Sequence, residues 1–161
     1  IGVTEGASNV AGLQSAPIGE LRFIFVVAPH HPLARLPEPI SDSQLRAHRL
    51  IAVADSARQS QVTMGILPGQ DVFTVDNMRA KIQAQLRGLG AGFLPEPMVR
   101  PYVQAGHLVA RAVARPPRNV RMCYQWGGSG SSVPGRALQW WLGQLQSQAT
   151  RQALLENHHH F

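Results

Sequence analysis

Two adjacent histidines boxed between prolines, in the order Pro29, His30, His31, Pro32, have the chemistry to bind a metal or move a proton. Neutral imidazole is a common metal ligand, and its ordinary pKa lies close to neutrality. A zinc site needs three or four ligands at suitable spacing, however, and no cysteine or close histidine partner stands near this pair. Both are therefore read as turn residues, Pro32 being unable to continue a strand ladder, and no metal ligand is expected. Signals for catalysis are as sparse. Ser56 lies beside Asp55, but "DSAR" is not the Gly-x-Ser-x-Gly elbow of a hydrolase. Cys123 sits in an apolar run, where a thiol is usually inert, and as the one cysteine it excludes an internal disulfide and fits a reducing compartment. The glycines of "GLGAG" (88–92) follow a helical pattern and precede a strand, the reverse of the order that cradles a dinucleotide. Neither a catalytic residue nor a cofactor is expected.

The elements that must position any site alternate between two periods. Residues 22–28 and 49–54 are short, continuous, β-branched runs that read as buried strands, and 71–75 reads as a third. Ser41 or Asp42 can cap a short helix over 42–48. After Asp76, a helix places Met78, Ile82, Leu86 and Leu89 on one stripe, with Arg79, Lys81, Gln83 and Arg87 elsewhere, and Gly88 and Gly90 can end it. A strand over 91–95, a helix over 96–106 bent or shortened by Pro101 and stopped by Gly106, and strands over 107–113 and 119–126 follow. One terminal helix carries Leu138, Trp141, Leu142, Leu145 and Ala149 at three- and four-residue spacing. Strands alternating with helices predict an α/β fold with a mostly parallel sheet.

With 161 residues and 44% hydrophobic content, a core is affordable in one domain or in two small lobes. No run is long enough for a membrane span, and "IGVTEG" lacks the features of a signal peptide, so a cytoplasmic location is expected. The net charge of +6 raises the possibility of nucleic-acid contact. Yet fourteen of the fifteen basic residues are Arg, and those from Arg100 to Arg151 are dispersed rather than clustered with aromatics into a binding strip, which reads as a solvated basic face. The histidine run at 158–160 is given no physiological role.

Two stretches carry a family likeness. "FVVAPHHPLA" (25–34) is close to a Val-x-x-Pro-x-His-Pro-Leu-Ala crossing segment, and residues 74–109 are close to a helix, a Gly-Leu-Gly-x-Gly turn, a strand ending in Leu-Pro, a second helix and a Gly-x-Leu-Val strand. In this order they resemble the effector-binding domain of LysR-type transcriptional regulators, over nearly the whole chain. The resemblance implies a periplasmic-binding-protein-like fold: two α/β lobes joined by two crossing strands, with a small molecule held in the cleft. Residues 1–27 and 122–161 would form the first lobe and 28–121 the second. Val27, Pro29 and Tyr124 would be hinge residues. The family's DNA-binding helix-turn-helix and the opening segment of the first lobe would belong to a stretch before Ile1, which would also supply one pocket wall.

Four places qualify as effector-binding within that frame: Thr4 and Glu5; Ser56 and Arg58 beside Asp55; Asp76 and Asn77; and Phe93 and Pro95. Thr4 donates and accepts without the desolvation cost of a charge. Arg58 could grip an effector carboxylate bidentately, or stand as an exposed loop cation. Asp76 is expected to cap its helix, leaving Asn77 to face the ligand; turned inward, it would favour a cationic or hydrogen-bond-donating effector. Phe93 is read as core more than pocket wall. Trp126 would pack beside the cleft, and Trp140, off the terminal stripe, would face a partner subunit. The function implied is small-molecule sensing in a regulator that works as a homodimer or homotetramer and meets DNA only through its helix-turn-helix. A solute-binding protein of a transport system and an enzyme on the same fold are the alternatives.

Overall fold

A computed structural model of the chain describes residues 2–6, 11–54, 65–127 and 135–156. Contacts divide the chain into two compact units, Ile1–Arg22 with Arg118–Phe161, and Phe23–Pro117.

The second unit is built on the end of a long strand, β2 (Leu13–Val27), which follows β1 (Gly2–Glu5). Successive side chains of a strand point to opposite faces. Phe25 and Val27 accordingly pack with Leu33, Ile40, Leu45, Leu67 and Ala91, while Val26 packs with Ile82, Leu94, Val99 and Leu108. Both faces are covered, which is why this stretch reads as an unbroken apolar run. The strands β3 (Leu50–Val53) and β4 (Val72–Val75) pair in parallel from Leu50 opposite Val72 to Val53 opposite Val75. Helix α2 (Met78–Leu86) then leads from β4 to β5 (Gly92–Pro95), which pairs antiparallel with Phe23–Val26. Leu50 also bridges in parallel to Ala91.

Local signals set the remaining elements of this unit. Ser41 caps α1 (Asp42–Arg46) in a full capping box with Gln44. Arg115 grips Asp42 bidentately, Nε to Oδ1 at 2.7 Å and Nη2 to Oδ2 at 3.1 Å, and also donates to the carbonyl of Gly65 at 3.1 Å. That pair holds the Asp42 carboxyl below its ordinary pKa. Helix α3 (Glu96–Gln104) runs on past Pro101 rather than ending there, and Gly106, with φ +72, stops it. The strand expected over 107–113 is short: β6 (Val109–Ala110) pairs with Val26 and Val27, and Val113 makes one bridge to Ile40.

In the first unit, β1 pairs antiparallel with β7 (Arg118–Gly127), and β7 lies next to β2. The helices α4 (Arg136–Gln146) and α5 (Gln148–Glu156) follow. Ile18, Tyr124 and Leu145 form a buried cluster there. Gly19 lies close under Leu155, whose Cδ1 would be 2.7 Å from a Cβ at that position and would have to turn aside for one.

Three expectations are corrected. Among the described ladders the sheet is not mostly parallel: β1 with β7, β2 with β5 and β2 with β6 are antiparallel, and parallel pairing is confined to β3, β4 and the two bridges. The chain enters the second unit along β2 and comes back beside it along β5, so these neighbours run in opposite senses. The terminal helix is two helices. Ser147 takes an extended ψ of 125° that ends α4, and its hydroxyl accepts from Thr150 N at 3.5 Å to start the next. Of the expected stripe, Leu145 is buried, but Trp141 is 48% exposed and Ala149 falls, exposed, on α5.

Candidate functional site

The carboxyl ends of β3 and β4 lie together with the start of α2, Ala54 N donating to Val75 O at 2.8 Å. Strand carboxyl ends beside a helix start are where open α/β sheets hold small solutes. Asp76 and Asn77 follow β4 directly, but their roles are exchanged relative to expectation. Asn77 is the N-cap: its side-chain oxygen accepts from Ala80 N at 2.9 Å, and its carbonyl accepts the first helical bond from Lys81. Asp76 is exposed and does not cap. The reason is where the helix begins. Asn77 has extended φ and ψ of −156° and 170°, so its own oxygen, not that of Asp76, reaches the orphan amide at the third helical position.

The other residues singled out are spread over both units. Phe93 is half-buried in β5 and meets Phe25 edge to face at 5.3 Å, a core position. Pro95 is buried at the end of β5, where it opens α3 without a side-chain cap. Thr4 and Glu5 lie in β1 opposite Cys123 and Met122. Ser56 and Arg58, with Asp55, lie outside the described residues. Val27 is fully buried in the second unit, Pro29 is exposed in the turn that follows, and Tyr124 is buried in the first unit, stacked on Trp126 at 5.3 Å. Trp126 lines a cavity of about 580 Å³ in that unit, together with Leu138, Trp141 and Leu154. Trp140 is 58% exposed.

The histidine pair is built into the fold. His31 is the N-cap of a 3-10 turn over Pro32–Arg35, its Nδ1 accepting from Leu33 N at 3.2 Å. Its ring meets His48 edge-on at 5.3 Å. Burial, with His48 and His30 nearby, lowers its pKa and so favours the neutral ring that the cap requires. The His30 ring occupies the space over Gly88 that a side chain there would need, and Gly88 has φ +70, so glycine is required twice over. Among the described residues no group of three or more His, Cys, Asp or Glu is placed to hold a metal.

The strongest departure from expectation is on α2. The helical spacing puts Lys81 off the apolar stripe and Leu89 on it, whereas in the structure Lys81 is 5% exposed, Gln85 is 0% exposed, and Leu89 is 47% exposed. The helix lies on β3 and β4, so its inward face takes in Lys81 and Gln85 as well as Ile82 and Ala84, while Leu89 falls beyond the last turn. Burial lowers the Lys81 pKa from 10.5 to about 8. Nothing in the sequence marks the pair, because a Lys and a Gln four residues apart on a helix ordinarily read as part of its solvated face.

Comparison with known proteins identifies what this arrangement belongs to. Residues 1–150 match the family model described as the LysR substrate binding domain. The HTH-type transcriptional activator AllS of Klebsiella pneumoniae is 39% identical over 111 residues, 68% of this chain and 41% of the activator, so the chain spans less than half of that relative's length. Full-length LysG of Corynebacterium glutamicum with bound effector Arg superposes with a TM-score of 0.60 at 22% identity, covering 94% of this chain and 49% of LysG. The CcmR regulatory domain of Synechocystis PCC6803 in complex with 2-PG does so with a TM-score of 0.68 at 16% identity, covering 92% and 72% of the two chains. The match over most of the chain, agreeing with its α/β units and with the crossing-segment and glycine-turn motifs, places this protein in the LysR substrate-binding-domain family.

Proposed function

We propose that this chain is the small-molecule-sensing domain of a LysR-type transcriptional regulator. The observation that carries the reading is the family match over residues 1–150, and the bound Arg and 2-PG of LysG and CcmR support a small-molecule effector. The effector is held at the carboxyl ends of β3 and β4, near the start of α2. Asp76 and Asn77 stand at that end of the second unit, and Val27, Pro29 and Tyr124 serve as hinge residues. Sensing requires that the effector bind one arrangement of the domain more tightly than another, because equal affinity shifts nothing. The protein acts in the cytoplasm as a homo-oligomer, performs no catalysis, and touches DNA through a separate helix-turn-helix. The transport alternative is disfavoured by relatives that are transcriptional activators.

Thermal-shift screening of the chain against amino acids, nucleosides, purines and aromatic acids tests the proposal. Stabilisation by RT ln(1 + [L]/Kd) is expected, about 2.7 kcal/mol at a hundredfold excess over Kd, with the ligand recovered unchanged. Turnover of the stabilising ligand would replace sensing with catalysis.

A further inference from the structure

The only lysine in the chain is buried, and among the described residues no carboxylate forms an ion pair with it. Lys81 and Gln85, one turn apart on α2, converge on the same spot above β5: a Cβ on Gly92 would come within 2.9 Å of Gln85 Nε2 and 3.4 Å of Lys81 Cε, with the Ile51 carbonyl at 3.2 Å. Among the described residues, neither the amide nitrogen nor the amide oxygen of Gln85 has a hydrogen-bond partner. Among the described residues, the ion pairs join Arg to Asp or Glu and none involves Lys81. Buried polar groups are almost always paired, and leaving them unpaired is costly. Apolar side chains at both positions would complete the same helix face without that cost, so a polar pair with no partner among the described residues is suited to a bound ligand.

The donor inventory specifies that partner. The Lys81 ammonium offers three N–H donors and no acceptor, and the Gln85 amide offers two donors and one acceptor. Two carboxylate oxygens satisfy the ammonium and the amide N–H, and the Gln85 carbonyl then needs a donor one bond further along the ligand. We propose that Lys81 and Gln85 form a recognition pair, inside the second unit, for a small carboxylate bearing a hydroxyl or N–H on the adjacent carbon. This rests on the sensing role proposed above and supplies the chemical class of the effector. Lys81 is the nearer of the two to the start of α2, the end at which β3 and β4 finish. Desolvation by the same burial disfavours its charge, and a bound carboxylate reverses that.

Because there is one lysine, its Cε resonance in 13C-labelled protein reports on this site alone. The probes are glycolate, acetate and glycolamide: a carboxylate with a neighbouring hydroxyl, one without it, and the neutral amide. Glycolate is expected to raise the Lys81 pKa saturably by about one unit, a tenfold preference of the ligand for the charged amine. Acetate should need roughly tenfold more ligand for the same effect, and glycolamide should give none. Gln85→Leu should weaken the glycolate response, and Lys81→Met, which keeps the helix face apolar, should abolish glycolate-dependent thermal stabilisation. An unchanged Lys81 pKa in roughly 50 mM glycolate, well beyond a millimolar Kd, overturns the proposal, since the pair would then be satisfied by buried water. Equal stabilisation of wild type and Lys81→Met by an effector from the screen also overturns it, while leaving the sensing role intact. A glycolate-dependent rise in the Lys81 pKa with substrate turnover would do the opposite, keeping the pair and removing the sensing role.

Discussion

A lysine at 5% exposure, without a carboxylate partner among the described residues, makes the stability of the protein depend on pH in a window where few other groups titrate. The folded state releases the Lys81 proton at about pH 8, whereas the unfolded chain holds it until 10.5. Between those values the unfolded chain binds more protons, so stability rises with pH; below about 8 both states are charged and the burial penalty is present in full. A shift of this size corresponds to a penalty on the order of 3 kcal/mol at neutral pH. Lys81→Met is therefore expected to raise the midpoint of denaturant unfolding at pH 7 by an amount equivalent to about 2–3 kcal/mol, and to flatten the rise in stability from pH 8 to 10. Urea titrations at pH 7, 8, 9 and 10 measure both. A variant less stable than wild type at pH 7, with the alkaline rise intact, would mean that the ammonium is satisfied in the folded protein. His31 stands in contrast, because its burial is matched by a function for the neutral ring, the bond from Leu33 N.

At the scale of elements, the start of α2 decides which of two adjacent residues is structural and which is free to meet a ligand. Asn77 accepts from Ala80 N, and Asp76 is exposed one residue earlier. Asn77→Ala should cost about 1 kcal/mol of stability by removing the cap, while Asp76→Ala should change it by less than about 0.5 kcal/mol. Chemical denaturation of the two variants checks this, and the reverse order of costs would return the cap to Asp76. The ambiguity was inherent in the sequence, since Asp and Asn are comparable caps and the pattern of the following helix does not say on which residue it starts. The end of β2 was legible because both of its faces are buried, leaving the continuous apolar run within 22–28. The N-terminal extension of β2 to Leu13 was not, because it contains Pro17 and Gly19, which oppose strand formation unless neighbouring chain segments enforce it; here β7 and Leu155 supply the neighbours. The break at Ser147 was hidden for a similar reason: a serine inside a helical pattern is tolerated as often as it starts a new cap. Of the candidate site, the position of Asp76 and Asn77 after a strand was readable. The burial of Lys81 and Gln85 was not, since a polar pair at helical spacing looks like a solvated face until the sheet beneath the helix is known.

Across the whole molecule, the described core is divided unevenly. In the second unit twelve buried residues form two clusters, one on each face of the β2 end, whereas in the first the cluster is Ile18, Tyr124 and Leu145. The helices of the first unit add little further burial: α5 has no buried residue, and Trp140, Trp141 and Leu154 are each at least 45% exposed. Local opening is easiest where few apolar contacts must be broken. Native-state hydrogen exchange should therefore find the slowest amides in β3, β5 and the Phe23–Val27 end of β2, and exchange at least tenfold faster in α4 and α5, a difference of about 1.4 kcal/mol in opening free energy. Leu94→Ala, which empties a fully buried position, should lower the protection of the second unit by about 2–5 kcal/mol. Protection in α4 and α5 equal to that of β5 in the unmutated chain would mean that the exposed tryptophans and Leu154 are covered in solution, most simply by a second copy of the chain. Dilution then separates the two accounts: exchange that speeds up in α4 and α5 alone as the protein is diluted belongs to a subunit contact, and exchange independent of concentration belongs to the fold of the unit itself.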